Sequence, residues 1–561
     1  MTCSRTVRSL LSARLLRSLS AASAIALPTI FLISCSSAPL QRRPQPHIPT
    51  PSESRTDAAM QAALHYGAPE LYAFLKPFPK GADLHMHLSG AVYAETFIDE
   101  AVRQGLCVAP ADPGKPASPI AKDAVKLVAP PCSHGAVPAS TALTSQALYD
   151  NLVDSFSMRS FVPSEGIDGH DQFFATFARF GGLKDASGDW LDEVATRAAM
   201  QNEQYLEIMN TPTFSNAARL GNQMGWPVGS ERSVTPQTLA VLRDKLLAAG
   251  LRSEVPVDVK EFADAEAARN LKEHCGADSP PSASLACSVQ IHFLYQVLRG
   301  FPPQQVFAQT LLGFEVASTD PEVVGINFVM PEDGRISMQD YHLQMQMLDY
   351  LHSVYPRVHI SLHAGELAPG MVPPAGLRFH IREAIELGHA ERIGHGVDVL
   401  YEDQPFALLK EMAQRHIDVE INLTSNDVIL GIKGDDHPLS AYRAAHVPFS
   451  LSTDDEGVSR IDLTHEYARA VEEQNLSYYD LKLSARSSLE HSFLHGKSLW
   501  QWPDNYDHMK SPCDAAITAT SQPSSPCRQF LNSNEKASQQ WELERRFAAF
   551  ESSVHPQLFQ P

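Results

Sequence analysis

Two histidines one residue apart, His85 and His87 in Gly81-Ala82-Asp83-Leu84-His85-Met86-His87-Leu88-Ser89-Gly90, are the first residues whose types and spacing could do chemistry. On a strand, alternate side chains share a face, so both imidazoles can reach one metal ion while Met86 packs behind. That is half of a metal site. A lone His-x-His is as readily a solvated pair near a strand end, so the rest depends on partners further along. Three groups supply them. His363-Ala364-Gly365-Glu366 follows the run Val358-His359-Ile360-Ser361-Leu362, and His395 follows Arg392-Ile393-Gly394. The adjacent carboxylates Asp454 and Asp455 follow Pro448-Phe449-Ser450-Leu451-Ser452-Thr453. A buried carboxylate pair needs cations or hydrogen bonds, and a metal would satisfy one of them.

Each group stands where a short apolar run ends. Eight such runs end near His87, Met209, Tyr295, Val329, Leu362, Gly394, Leu423 and Thr453, separated by stretches of helical periodicity. Strands alternating with helices predict βαβ units and a parallel sheet, and eight of them predict a (β/α)8 TIM barrel. In that fold the C-terminal strand ends meet on one face, which gathers His85, His87, His363, Glu366, His395, Asp454 and Asp455 into one bowl. Helices are expected over residues 60–75, 93–104, 190–203, 235–249, 303–317, 338–355, 378–387 and 478–494. Residues 107–142 and 210–230 read as loops, and 260–281 lead into the second cysteine couple. Phe173, Phe174, Phe177 and Phe180 form an aromatic stripe at helical spacing, a pattern of core packing first and of a lid over an apolar ligand second.

Taken together and in this order, His85-Met86-His87-Leu88-Ser89-Gly90-Ala91, His363-Ala364-Gly365-Glu366, Arg392-Ile393-Gly394-His395-Gly396 and Ser452-Thr453-Asp454-Asp455 resemble the adenosine deaminase branch of the amidohydrolase superfamily. The resemblance implies one Zn2+ per chain, held by His85, His87, His363 and Asp454, with a position left for water. It also implies that Glu366 protonates the purine ring and that His395 orients and deprotonates the water. Asp455, Gly365, Ser89 and Met330 would meet the substrate. Two of these depart from the family pattern. Ser89 stands where an Asp usually holds the ribose 5′-hydroxyl, and Met330 stands where a Gly usually meets the purine. Both concern recognition and leave the metal chemistry intact. The implied activity is hydrolytic deamination of a 6-aminopurine nucleoside. Deamination of another adenine derivative or hydrolysis of a cyclic amide would use the same residues, and a catalytically silent nucleoside-binding protein would have lost one of them.

The chain has 561 residues, 43% hydrophobic and 20% charged, with a formal net charge of −20. Such a surface repels nucleic acid and anionic membrane, so the expected partner is a small purine compound. Arg5, Arg8, Arg14 and Arg17 precede an apolar run that ends in Leu32-Ile33-Ser34-Cys35, which resembles a bacterial lipobox with Cys35 as the lipidated residue. Residues 1–35 are thus expected to be a lipoprotein signal and 36–55 a Pro-rich tether. The barrel would occupy 56–500 and a C-terminal helical extension 501–561. The protein is expected in the periplasm or on the cell surface, touching membrane only through that anchor. Six further cysteines fall into three local couples, Cys107 with Cys132, Cys275 with Cys287 and Cys513 with Cys527, each in a loop insertion. None has metal-site spacing, and surface disulfides suit an oxidising compartment.

Overall fold

The computed structural model describes residues 48–111, 124–133, 135–164, 166–184, 186–227, 229, 233–276 and 284–554. The expected signal, Cys35 and most of the expected tether lie outside the described residues. The eight expected strands are present: β1 Gly81–His87, β2 Glu203–Asn210, β3 Gln290–Leu298, β4 Val323–Val329, β5 His359–Ala364, β6 Arg392–His395, β7 Asp418–Ile421 and β8 Phe449–Leu451. They pair in parallel in sequence order. Beyond β8 the barrel closes onto β1 through Asp454, whose N–H donates to the His85 carbonyl at 2.8 Å and whose carbonyl accepts the His87 N–H at 3.2 Å. Closure therefore sets Asp454 beside the two histidines before any side chain is considered.

The strands are buried on both faces, as parallel strands under helices must be. One hydrophobic core joins the barrel wall to its surrounding helices. The chain reaches β1 through two helices, Pro51–Tyr66 and Ala68–Leu75, broken at Gly67 before Pro69. The first begins inside the stretch expected to be tether. Thr50 caps it in a capping box with Glu53, and Glu53 is buried because Lys482 meets it at 2.8 Å.

Two segments expected to be loops, and one left without an assignment, have regular structure. Residues 107–142 contain a small antiparallel sheet, Cys107–Pro110 flanked by Val125–Val128 and Val137–Pro138. Its strands are too short to show periodicity in the sequence. Ser215–Met224 and Val255–Glu273 are helices. The second runs across Pro256, which a first helical turn tolerates because its missing N–H would have no partner there. Three disulfides join Cys107 to Cys132, Cys275 to Cys287 and Cys513 to Cys527, the expected local couples.

The C-terminal helix Glu535–Ser553 extends the main core. Leu543, Phe547 and Phe550 join it beneath the barrel, where Phe78 packs against Tyr478, Phe547 and Phe550 with ring centroids 5.6–5.8 Å apart. Residues 499–531 form a smaller cluster around Cys513 and Cys527. Among the described residues, no helix is long and apolar enough to cross a membrane.

Candidate active site

At the C-terminal face, His85 and His87 point from the end of β1, as the strand alternation requires, and His363 comes from the end of β5. Their Nε2 atoms converge. His363 Nε2 lies 3.1 Å from that of His85 and 3.2 Å from that of His87, and Asp454 Oδ1 lies 3.6 and 3.2 Å from His85 and His87 Nε2. Ligands about 2.0–2.1 Å from a tetrahedral ion stand roughly 3.3–3.4 Å from one another, and these four separations bracket that value.

The opposite ring nitrogens explain which atoms face inward. His85 Nδ1 donates to Glu420 Oε2 at 2.6 Å, His87 Nδ1 to Gln296 Oε1 at 2.8 Å and His363 Nδ1 to Asn327 Oδ1 at 2.7 Å. A carboxylate or amide oxygen can only accept, so each Nδ1 carries the hydrogen and each Nε2 turns a lone pair toward the same point. Three converging lone pairs beside a carboxylate call for a cation. The donor set of three imidazoles and one oxygen suits zinc.

The supporting residues are themselves fixed. Arg392 Nε donates to Glu420 Oε1 at 2.6 Å and its other arm meets Glu207 at 2.7 Å, all three fully buried inside the barrel. Burial alone would raise the Glu420 carboxyl, but Arg392 and His85 hold it down at about 2. Gly394 leaves room for the His85 ring: a Cβ there would stand 2.5 Å from His85 Cε1. Gly90 does the same for Asp455, whose Oδ1 would collide with any Cβ.

His395, from the end of β6, stands beside the four-atom cluster. Its Nδ1 donates to Asn426 Oδ1 at 2.9 Å, while its buried Nε2 has no hydrogen-bond partner among the described residues. That atom is 3.9 Å from Asp454 Oδ2 and 3.8 Å from Glu366 Oε1. Single atoms of His85, His363, His395 and Asp454 also lie within 4.8 Å of one another. His87 fits the fourth ligand position better, because its nitrogen is 3.2 Å from both His363 and Asp454. Burial lowers His395 to about 4, so at neutral pH the ring is uncharged and able to accept a proton. Burial, then the carboxylates of Asp454 and Glu332, push Glu366 well above the usual carboxylate range. Asp455 is pushed up in the same way by burial and by Asp454. Asp454 goes the other way: burial opposes its charge, but the adjacent imidazoles of His85 and His87 hold it well below the ordinary value. Two neighbouring carboxyls are therefore shifted in opposite directions.

His395 and Asp454 both adopt left-handed backbone, with φ of 68° and 60°. Such strain recurs where a fold forces a side chain into a site.

Of the residues expected at the substrate, Gly365 and Asp455 lie in the bowl, and Ser89 is half-buried in the single turn Leu88–Ala91. Met330 is at the rim with φ 99°, a conformation that favours glycine. Its side chain folds over Gly300, whose N–H meets the Met330 Sδ at 3.3 Å. The supporting residues Glu420, Gln296, Asn327, Asn426 and Glu332 went unassigned in the sequence. The available signal was a polar residue inside an otherwise apolar strand, as in Asp418-Val419-Glu420-Ile421.

A closed (β/α)8 barrel that gathers three imidazoles and a carboxylate at its C-terminal face is a metal-dependent barrel of the amidohydrolase type. The family model described as adenosine deaminase matches residues 185–501, and the chain belongs to the adenosine deaminase family. The match takes in β2 to β8, leaving His85 and His87 upstream of it.

The adenosine deaminase of Clostridium perfringens strain 13 is 34% identical over 135 residues, 24% of this chain and 37% of the relative. That of Salmonella typhi is 40% identical over 137 residues, 24% of this chain and 38% of the relative. The chain thus matches little more than a third of the length of these curated relatives. Among solved structures, an adenine deaminase from Arthrobacter aurescens is 17% identical, with a TM-score of 0.46 over 74% of this chain and 94% of its own. An Arabidopsis N6-mAMP deaminase is 21% identical, with a TM-score of 0.46 over 75% and 95%.

Proposed function

We propose that the protein is a zinc-dependent aminohydrolase that removes the 6-amino group of a purine nucleoside, converting adenosine or 2′-deoxyadenosine and water to the inosine compound and ammonia. One observation carries the reading: four converging ligand atoms share their bowl with a carboxyl that burial shifts toward its protonated form and an imidazole whose inward nitrogen has no hydrogen-bond partner. Zinc held by His85, His87, His363 and Asp454 would supply the Lewis acidity that makes a water nucleophilic near neutral pH. The proton movements belong to the chain. His395 Nε2, uncharged and unpartnered, takes the proton of the attacking water. Glu366 gives its proton to the purine ring nitrogen, so that negative charge does not build up on the ring, and Asp455 meets the opposite ring edge. The Nδ1–H bond to Asn426 keeps His395 in the tautomer that can accept.

The sugar end is where this chain should differ from its family. A carboxylate at position 89 could hold a 5′-hydroxyl and would be stranded without it, whereas serine is easily satisfied by water. Ammonia release from a panel of aminopurine nucleosides and bases tests the whole reading. Adenosine and its 5′-deoxy analogue should differ by no more than about 10-fold in kcat/KM. A preference above about 10³-fold for adenosine would refute the role given to Ser89, and no ammonia from any member of the panel would refute the activity.

We also propose export and lipid anchoring through Cys35, supported by the lipobox-like stretch and the three disulfides. A mature N-terminus other than acylated Cys35, read by mass spectrometry, would refute it.

A further inference from the structure

Glu332 lies just beyond the end of β4 and is 2% exposed, and both of its oxygens accept backbone N–H groups. Both are committed to the backbone that carries Glu366. Oε1 accepts the Gly365 N–H at 3.0 Å and His380 Nδ1–H at 2.5 Å, and Oε2 accepts the Glu366 N–H at 2.7 Å. The same segment is held from its other side. Arg299 Nη2 donates to the His363 carbonyl at 2.7 Å, and the N–H groups of Val397 and Asp398 donate to the Gly365 carbonyl at 2.8 and 3.1 Å. Gly365 has φ 76°, and a Cβ there would stand 2.5 Å from Asp398 Oδ1 and 2.8 Å from Ile381 Cδ1. The segment from His363 to Glu366 therefore has one seat. His380, which braces the carboxylate, is itself stacked on Tyr341 with ring centroids 3.8 Å apart and planes 8° from parallel.

Two amides could be satisfied by water or by any neutral acceptor. A carboxylate bridging consecutive N–H groups does more, because it fixes the tilt of the peptide plane and with it the direction in which the Glu366 side chain leaves the backbone. That side chain must bring its carboxyl to one place, 3.8 Å from His395 Nε2. An error of about 1 Å in such placement costs on the order of 10²-fold in rate.

We propose that Glu332, seated by His380, is a positioning residue for the proton donor: it orients the Gly365–Glu366 peptide so that the Glu366 carboxyl is delivered to the reacting ring, and so sets turnover without holding substrate or metal. This rests on the reading of Glu366 as the acid. The test uses the full-length, zinc-loaded protein and Glu332→Gln, which keeps the length but sets an NH2 against one of the donors. The kcat is expected to fall about 10²-fold, with KM within about 3-fold of wild type and zinc retained. Amide exchange of a peptide covering residues 363–367 should rise at least about 10-fold, with exchange in β1 and β7 unchanged. His380→Phe keeps the ring on Tyr341 but removes the donor to Glu332, and should lower kcat by about 10-fold at constant KM. It serves if the glutamine variant does not fold. Wild-type kcat in folded Glu332→Gln, or a loss shared equally by KM and zinc content, overturns the proposal. If the wild-type protein releases no ammonia at all, the reading of Glu366 fails. The exchange measurement still decides separately whether Glu332 holds the segment, and unchanged exchange overturns that.

Discussion

A carboxyl donates a proton at neutral pH only where its surroundings keep the proton on it, and a histidine accepts one only where its surroundings keep it neutral. Glu366 and His395 meet these opposite demands 3.8 Å apart, because both are buried and burial disfavours whichever form is charged. Glu366→Gln removes the donor and His395→Ala the acceptor, and neither deletes a proposed ligand. Each is expected to lower turnover by about 10²-fold or more with about one zinc still bound, measured by steady-state kinetics and metal analysis on the same preparation. Loss of zinc in either variant would contradict the roles assigned. These reacting residues were legible in the sequence because His, Glu and Asp at strand ends have few other reasons to cluster. Their supports were not. Glu420, Gln296 and Asn327 act only through the second nitrogen of each ring, and no spacing rule links residue 85 to residue 420.

At the scale of elements, the aromatic helix Gly169–Phe180 has a double duty that its periodicity half disclosed. Phe173 and Phe180 are buried in a satellite core, which is the core reading of the stripe. Its first turn also reaches across the barrel mouth. A Cβ on Gly169 would collide with the Val428 carbonyl, in the helix that follows β7, and His170 Nε2 meets Asp333 at 3.1 Å, just beyond β4. Burial lowers the affinity of His170 for its proton, but Asp333, Asp168 and Asp171 raise it further, and the net pKa lies above the usual 6.5. A group raised on folding contributes attraction that is fully present below its unfolded pKa and is lost as pH rises through the folded one. The helix should accordingly open more readily at pH 8 than at pH 6, by about 2–5-fold in amide exchange corrected for intrinsic rates, the worth of a half-buried ion pair. Asp333→Asn should abolish the difference, and a pH difference that survives it would contradict the latch. The strands themselves were read correctly at this scale because fully buried parallel strands leave dense apolar runs. Ser215–Met224 was missed because its apolar face is short and built of few large side chains, and its burial comes from packing on the helix Pro303–Ala317.

Across the whole molecule, the barrel is sealed at the end opposite the site by its own C-terminus. Phe547 is 1% exposed and touches the Phe78 ring that precedes β1, while Lys482 ties Glu551 of the same helix to Glu53 of the first one. Phe547→Ala should lower unfolding stability by about 3–5 kcal/mol, read by denaturant titration, while kcat per bound zinc stays at the wild-type value because the change is remote from the bowl. A parallel fall in kcat would mean that the two ends of the barrel are coupled. The sequence showed this helix as amphipathic but not what covered it, since the covering surface is assembled from both ends of the chain, Tyr478 and Lys482 on one side and Phe78 and Glu53 on the other. The central claim is that one metal, held by His85, His87, His363 and Asp454, makes the bowl a deaminase. It is tested most directly by measuring zinc and ammonia release on one sample through chelation and reconstitution. Wild-type protein should carry about one zinc per chain, lose activity in step with the metal and regain it on return of zinc, with the barrel still folded throughout, whereas Asp454→Ala should neither hold zinc tightly nor turn over. Full activity after complete removal of the metal, or in Asp454→Ala, would contradict it.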